Sequence, residues 1–526
     1  MVIRRAIVAS SASIALLLSA CTSGSPSDGP ATSAEPSPTP TVFEQTFSSD
    51  TRGEAATLSL SGKKTKKSFR ADNIGISFES TVLADRRLDP GASNLDDLLK
   101  SLGSPALRFG GNELDRRLFW TSDHASPSKS DQVVVTPEDL KRLKRLVDVT
   151  GSTVTMGIPL GAYAPKQGVD MAVHAVDILG DSLVGLAIGN EPNGYKVKDV
   201  PNGAVRGDDW NKEKYVQQLE AYAKAIHEKR PDAPIIGPDV YDGAWMDAFA
   251  HSDVKKKTAI SQHWYQLPAC ESEKIPGRGP QAQNLVDPLA KKAAKKNLGI
   301  GKDHADDAGL PLWLEETGPT SCPGTNDTSL TIASALWAAD FTLHAAQLGV
   351  ERMAMHSMLG ACKGGAPMSL VCDPADHGTR SDTFQGRPHL AAMRLLVPSI
   401  DATFTKTAVK GGGNMSAYTV RKNEGETLVT TIINANDAAK SGGNPVNLHV
   451  PEGFSVERAS QIYGPSNEAT NATSVIASNP LPDDIPYSGE AKTAKASAST
   501  STDADGSEFN IDLAASSVTV FIMTKK

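Results

Sequence analysis

The sequence predicts an α/β protein: a (β/α)8 TIM barrel followed by a C-terminal all-β sandwich. Three observations predict it. Between residues 73 and 398, eight short apolar runs alternate with eight amphipathic stretches. After residue 399 the helical spacing stops, and strand-like runs with polar turns follow. No glycine-rich phosphate loop follows the first apolar run, which disfavours a doubly wound sheet.

The chain begins with material that is not fold. Arg4 and Arg5 precede an apolar run, centred on residues 14–18, that is too short to span a bilayer. Leu18-Ser19-Ala20-Cys21 resembles a bacterial lipobox, which implies cleavage before Cys21 and acylation of that residue. The implied location is the outer face of the cell membrane, with a lipid anchor as the only membrane contact. Residues 22–41 are Ser, Pro, Thr, Gly and Ala with almost no apolar bulk, and read as a flexible tether. The expected organisation is a signal peptide over 1–20, a tether over 21–41, an N-terminal segment over 42–72, the barrel over 73–398 and the sandwich over 399–526. The segment 42–72 has no core of its own and is expected to lend the sandwich a strand. Its basic knot, Lys63, Lys64, Lys66 and Lys67, reads as a solvated hairpin turn.

Barrel strands are expected at 74–78, 106–109, 153–158, 183–188, 234–237, 259–264, 312–314 and 352–356. Helices are expected at 95–102, 137–149, 170–179, 212–229, 245–249, 285–308, 329–348 and 387–396. Thr136 and Pro137 give the second of these a capping residue and a first-turn proline. Sandwich strands are expected at 408–421, 427–434, 446–450, 455–463 and 518–524, with 491–506 as loop.

Net charge −8 on 526 residues is mild and argues against nucleic acid as the main partner. Of five cysteines, Cys21 is set aside for the anchor, and an even number remains. Four cysteines in an exported chain suggest two disulfides, with three possible pairings. Cys362 and Cys372 close a short loop. Cys270 and Cys322 follow the sixth and seventh strands into neighbouring loops. The favoured pairing is therefore Cys270–Cys322 with Cys362–Cys372.

In such a barrel the site lies at the C-terminal strand ends. The polar residues expected there are Glu79; Arg108, Asn112 and Asp115; Asn190 and Glu191; Asp239 and Tyr241; Gln262, His263 and Tyr265; Glu315 and Glu316; and His356. Two carboxylates on the ends of two parallel strands suit glycoside hydrolysis. Glu191 ends the fourth strand before Pro192, and the Glu315-Glu316 pair ends the seventh. No spacing among these residues suits zinc or a two-metal site, so no metal and no cofactor are expected. Trp264 can serve simply by packing between strand and helix.

The stretches LRFGGNELDR (107–116), LAIGNEPNGY (186–195), SQHWYQ (261–266) and WLEETGPTSC (313–322) resemble glycoside hydrolase family 79. That family contains β-glucuronidases and heparanase-like enzymes, within the barrel clan of retaining glycosidases. The resemblance covers residues 73–396. Family members often carry Asn after the seventh-strand Glu-Thr, where this chain has Gly318 and Pro319.

The resemblance implies Glu191 as acid/base and Glu316 as nucleophile, because the family's nucleophile directly precedes the threonine at 317. Glu315 would then point toward the helices or accept a local hydrogen bond. Arg108 and Tyr265 would keep the nucleophile ionised, and Asn190 would bond the sugar 2-hydroxyl. Asn112, His263 and Glu79 would support them. Repulsion between the two carboxylates would raise one pKa and leave that group a proton to give. The implied activity is an exo-β-glucuronidase, acting on a glycoside or oligosaccharide that contains uronic acid. Alternatives are an endo-acting heparanase-like hydrolase, a neutral-sugar β-glycosidase, and a carbohydrate-binding lipoprotein without activity. The few cations near the mouth, Lys274, Arg278 and Lys363, favour exo over endo action. Both glutamates are present, which argues against the last alternative.

Overall fold

The computed structural model describes residues 45, 47–198, 203–375, 379–470, 473–476, 501–502 and 508–525. The expected signal peptide, Cys21 and the tether lie outside the described residues. Eight parallel strands close into a barrel. In chain order they are Gly75–Glu79, Ala106–Gly110, Val154–Ile158, Leu183–Ile188, Ile235–Val240, Lys257–Leu267, Leu312–Thr320 and Val350–Ser357. The eighth closes on the first through Met355–Ile76 and His356–Ser77. These strands read as apolar runs because both faces are covered, one by the barrel interior and one by helices. Ile76, Phe78, Phe109, Met156, Ile158, Leu186 and Ile188 are all buried.

Helix ends follow local chemistry. Thr136 opens Pro137–Thr150 with a capping box to Asp139, and Gly151 ends it in the left-handed region at φ 68°. Lys212–Lys229 has its predicted bounds, with Asn211 accepting from the Lys214 N–H. The helix expected from Asp170 begins earlier, as Pro165–Leu179, with the proline in its first turn. The helix expected over 285–308 is two helices, Gln283–Val286 and Pro288–Asp307. Pro288 has no N–H with which to continue the first, and Asp287 caps the second by accepting from the Leu289 N–H. The helix expected over 329–348 likewise divides into Asn326–Ser329 and Ile332–Leu348, the second capped by Thr331. Trp264 packs where a wall residue should, stacked on Phe341 of that helix at 5.6 Å between ring centroids.

A ten-stranded, mostly antiparallel sheet forms the second layer system. Ala56–Phe69 lies inside it, antiparallel to Ala402–Gly411 and parallel to Gly443–His449. Leu58, Val446, Leu448 and Ile511 share one core with Ile432, Phe454, Phe521 and Met523. The sheet therefore curls over its own apolar face and makes a sandwich.

Three readings are corrected here. The lysine knot is not a hairpin turn. It runs within the single strand Ala56–Phe69, where register shifts between Leu60 and Lys64 and between Lys64 and Ser68 absorb extra residues as bulges. The strand expected over 408–421 is two strands, Ala402–Gly411 and Met415–Lys422. Gly411, Gly412 and Gly413 between them have φ of 74°, 79° and 63°, a run of left-handed backbone that only glycine adopts freely. Glu508–Ala514 is a strand paired with Gly443–His449, where none was expected. Both expected disulfides form, Cys270–Cys322 and Cys362–Cys372. Among the described residues no helix is long and apolar enough to cross a membrane.

Candidate active site

The fourth strand, Leu183–Ile188, stops at Gly189, where a Cβ would meet the Tyr195 hydroxyl at 2.5 Å. Asp115, from the loop after the second strand, fixes this turn. It accepts from the N–H groups of Leu160 and Gly161 at 2.7 Å each, from Asn190 N–H at 2.9 Å and from Tyr195 O–H at 2.7 Å. The Glu191 N–H donates to the Asp239 carbonyl at 3.0 Å, which ties the fourth strand end to the fifth. Glu191 has φ 45° and ψ 54° and precedes Pro192, whose ring disfavours helical-type geometry in the residue before it. Left-handed backbone costs a non-glycine residue about 1–2 kcal/mol. Strain of this kind collects where a side chain must be aimed.

Arg108, on the second strand, is the hub, and it is only 2% exposed. Its Nη1 donates to Glu316 at 2.5 Å and to Ser77 at 3.0 Å. Its Nη2 donates to Asn190 at 2.7 Å and to Asp239 at 2.8 Å, and meets His263 Nε2 at 3.2 Å. One guanidinium thus joins five other strand ends: the first, fourth, fifth, sixth and seventh. Along the sixth strand the side chains alternate. His263 and Tyr265 turn inward, to Glu191 at 3.1 Å and to Glu316 at 2.8 Å. Gln262 turns outward to the Asn297 carbonyl at 2.9 Å.

The seventh strand corrects the expectation for Glu315. Its pairing with both neighbours shifts register between Leu314 and Glu316 or Thr317, so Glu315 occupies a bulge. Strict alternation would send Glu315 and Glu316 to opposite faces; the bulge turns both inward. Glu315 accepts from Thr155 across the barrel and lies 3.1 Å from Arg352 Nε. Glu316 stands nearer the mouth, between Arg108, Tyr265 and His356, the last at 3.8 Å.

Their surroundings set the two seventh-strand carboxylates apart. Burial pushes Glu316 up, but His356, His263 and Arg108, with the Tyr265 hydrogen bond, outweigh it and hold Glu316 below the ordinary carboxylate range. Burial pushes Glu315 up more than Arg352 pulls it down. Burial and then Glu316 hold the Tyr265 hydroxyl far above the usual phenol value, so it remains a donor. Burial disfavours the His263 cation, but Glu316, Asp239 and Glu191 outweigh it and push the ring up to about 9. His356 also rises against burial, through Glu316 and Glu79. One oxygen each of Glu191 and Glu316 and one nitrogen of His263 lie within 4.8 Å of one another.

No protein-family model matches the chain, and no curated protein matches it by sequence. Solved structures do match. A 4-O-α-L-rhamnosyl-β-D-glucuronidase from Fusarium oxysporum 12S has a TM-score of 0.64 at 14% identity, covering 88% of this chain and 99% of that one. A glycoside hydrolase family 51 arabinofuranosidase from Xanthomonas axonopodis pv. citri has a TM-score of 0.61 at 14% identity, covering 90% of this chain and 100% of that one. A family 44 xyloglucanase from Paenibacillus polymyxa has a TM-score of 0.57 at 11% identity, covering 90% of this chain and 100% of that one. The fold is that of barrel glycoside hydrolases. At these identities the likeness shows the fold and nothing narrower.

Within that fold, Glu191, Glu316, Asn190, Arg108, His263 and Tyr265 converge as expected from their strand ends. Glu79 stands beside them, accepting from the Glu113 N–H at 2.8 Å with His356 at 3.6 Å. Asn112 does not join the cluster. It is exposed, and its side chain accepts from Arg116 at 3.3 Å, because its loop turns outward after Gly111. Asp239 is the residue that sequence reasoning undervalued: it appeared as a strand end, yet it is 1% exposed and bonds Arg108 directly. A polar residue closing an apolar strand, IIGPDV, was the available signal. A separate cavity of about 200 Å3 lies outside the barrel, between Trp337, Phe341, Lys291 and Met415, and holds none of these groups.

Proposed function

We propose that this protein is a retaining glycoside hydrolase that removes terminal β-glucuronosyl residues by double displacement. The observation that carries the retaining reading is the spacing of Glu191 and Glu316, whose nearest oxygens lie within 4.8 Å. Retaining pairs stand about 5–5.5 Å apart, and inverting pairs about 6.5–9.5 Å, with room for a water. Glu316 is the nucleophile: Arg108 and Tyr265 hold it ionised for attack on the anomeric carbon. The C–O bond to the leaving group breaks as the Glu316–glycosyl ester forms. Glu191 gives its proton to the leaving oxygen, then takes one from the water that cleaves the ester. Asn190 Nδ2 is buried and has no hydrogen-bond partner among the described residues, which leaves it a donor for the sugar 2-hydroxyl.

The glucuronosyl part rests on the four stretches that resemble family 79, and a fold neighbour is named as a glucuronidase. One observation favours a second reading, a neutral-sugar glycosidase. Arg278, expected as a cation near the mouth, donates to the carbonyls of Gln266 and Tyr265 at 2.7 Å each, and Arg108 is held by Asp239 and Glu316. A panel of 4-nitrophenyl β-glucuronide, glucoside, galactoside and xyloside, with α-arabinofuranoside added, separates the two. We expect release from the glucuronide. Hydrolysis of a neutral glycoside alone would replace the first reading with the second.

A further inference from the structure

We propose that Asp239 is a positioning residue that holds the charge of His263 and, through that ring, the orientation of Glu191; this rests on reading Glu191 as the acid/base. Asp239 lies at the end of the fifth strand, buried beneath the reacting groups, with φ of 57°. Its N–H donates to Ser261 at 2.9 Å, and its carbonyl accepts from the Glu191 N–H at 3.0 Å. The backbone that aims Asp239 therefore also aims Glu191. Its Oδ2 lies 2.8 Å from Arg108 Nη2 and 3.5 Å from His263 Nε2. His263 Nδ1 lies 3.1 Å from Glu191. The result is a chain of Asp239, His263 and Glu191 across three strands.

Without the Asp239 charge, His263 Nε2 would face the Arg108 guanidinium alone, at 3.2 Å. A protonated ring would then set donor against donor, so Asp239, together with Glu316 and Glu191, lets the ring keep its second proton. The surrounding charges are Arg108 on the second strand, Glu191 on the fourth, Glu315 and Glu316 on the seventh, and His356 with Glu79 at the eighth and first. The buried Tyr215 hydroxyl of the outer helix also feels Asp239. Removing the Asp239 charge makes the His263 proton easier to lose.

The test is Asp239→Asn, which keeps the shape and removes the charge. With a 4-nitrophenyl glycoside the fall of kcat/KM with rising pH should begin about one unit lower, as His263 loses its charge beside Glu191, a roughly tenfold loss on that limb. The loss should shrink with a 2,4-dinitrophenyl leaving group, which needs little protonation. Independently of turnover, NMR of labelled histidine should show the His263 ring losing its proton at lower pH in the variant. Ser261→Ala is the milder companion should the asparagine variant not fold, and it should shift both readouts the same way by less. An unmoved limb and an unmoved His263 titration would overturn the proposal. A wild-type enzyme inactive on every glycoside would instead sink the hydrolase reading, with the NMR arm still deciding whether Asp239 controls His263.

Discussion

Glu315 and Glu316 are adjacent, buried and both turned inward, so their roles separate only by what each touches. If Glu316 is the nucleophile, as proposed, Glu316→Gln should lower kcat on the order of ten-thousand-fold, with the fold intact by circular dichroism. Glu315→Gln keeps a partner for Thr155 but leaves Arg352 with only its bonds to Asp72, Thr153 and backbone. That variant should lose about 1–3 kcal/mol of stability by urea unfolding while kcat changes little. The reverse pattern would exchange the two assignments. At this scale the sequence shows which residue types stand at strand ends, and that suffices for Glu191, Glu316, Arg108 and Tyr265. It does not show the bulge that turns Glu315 inward, because a bulge is a relation between two strands. For the same reason Asp239 was visible as a strand end but not as the counter-charge of Arg108.

The elements that carry these residues are stapled at the mouth. Cys270–Cys322 joins the loops after the sixth and seventh strands, across 52 residues, and Cys362–Cys372 closes 10 residues after the eighth. The loops after the seventh and eighth strands also meet, through Met368 N–H and the Pro323 carbonyl at 3.1 Å. Chain entropy alone makes the longer closure stabilise by about 4 kcal/mol and the shorter by about 3 kcal/mol. Replacing Cys270 and Cys322 together by Ser should therefore lower the urea midpoint more than the same change at Cys362 and Cys372. An inverted order would mean that the short loop is the more strongly coupled element. Element boundaries were legible where the chain marks its own ends, as at Thr136-Pro137 and Asn211. They were missed where a mark lay inside a periodic run, as at Pro288. The strand Glu508–Ala514 does alternate, with Phe509, Ile511 and Leu513 buried, but it follows a long Ser, Thr and Ala stretch that reads as loop.

At the scale of the whole molecule, the charged cluster sits at the centre of the barrel and couples stability to pH. Burial works against the His263 cation, yet Glu316, Asp239 and Glu191 raise its pKa from 6.5 to about 9 in the fold. Its contribution is complete below pH 6.5 and is lost as pH rises through about 9, a span worth about 3 kcal/mol. Glu316 and Asp239 run the other way, since Arg108 and the histidines hold both below their ordinary values of 4.5 and 3.8 despite burial. Their contribution is complete above those values and is lost as pH falls through the lower folded ones. Stability against urea should therefore be greatest between about pH 4.5 and 6.5 and decline on both sides. The alkaline decline belongs to His263 and His356, so His263→Gln should shrink it and should also weaken the acid side, because His263 helps to hold Glu316 and Asp239 down. An alkaline slope unchanged in that variant would move the effect to groups other than His263.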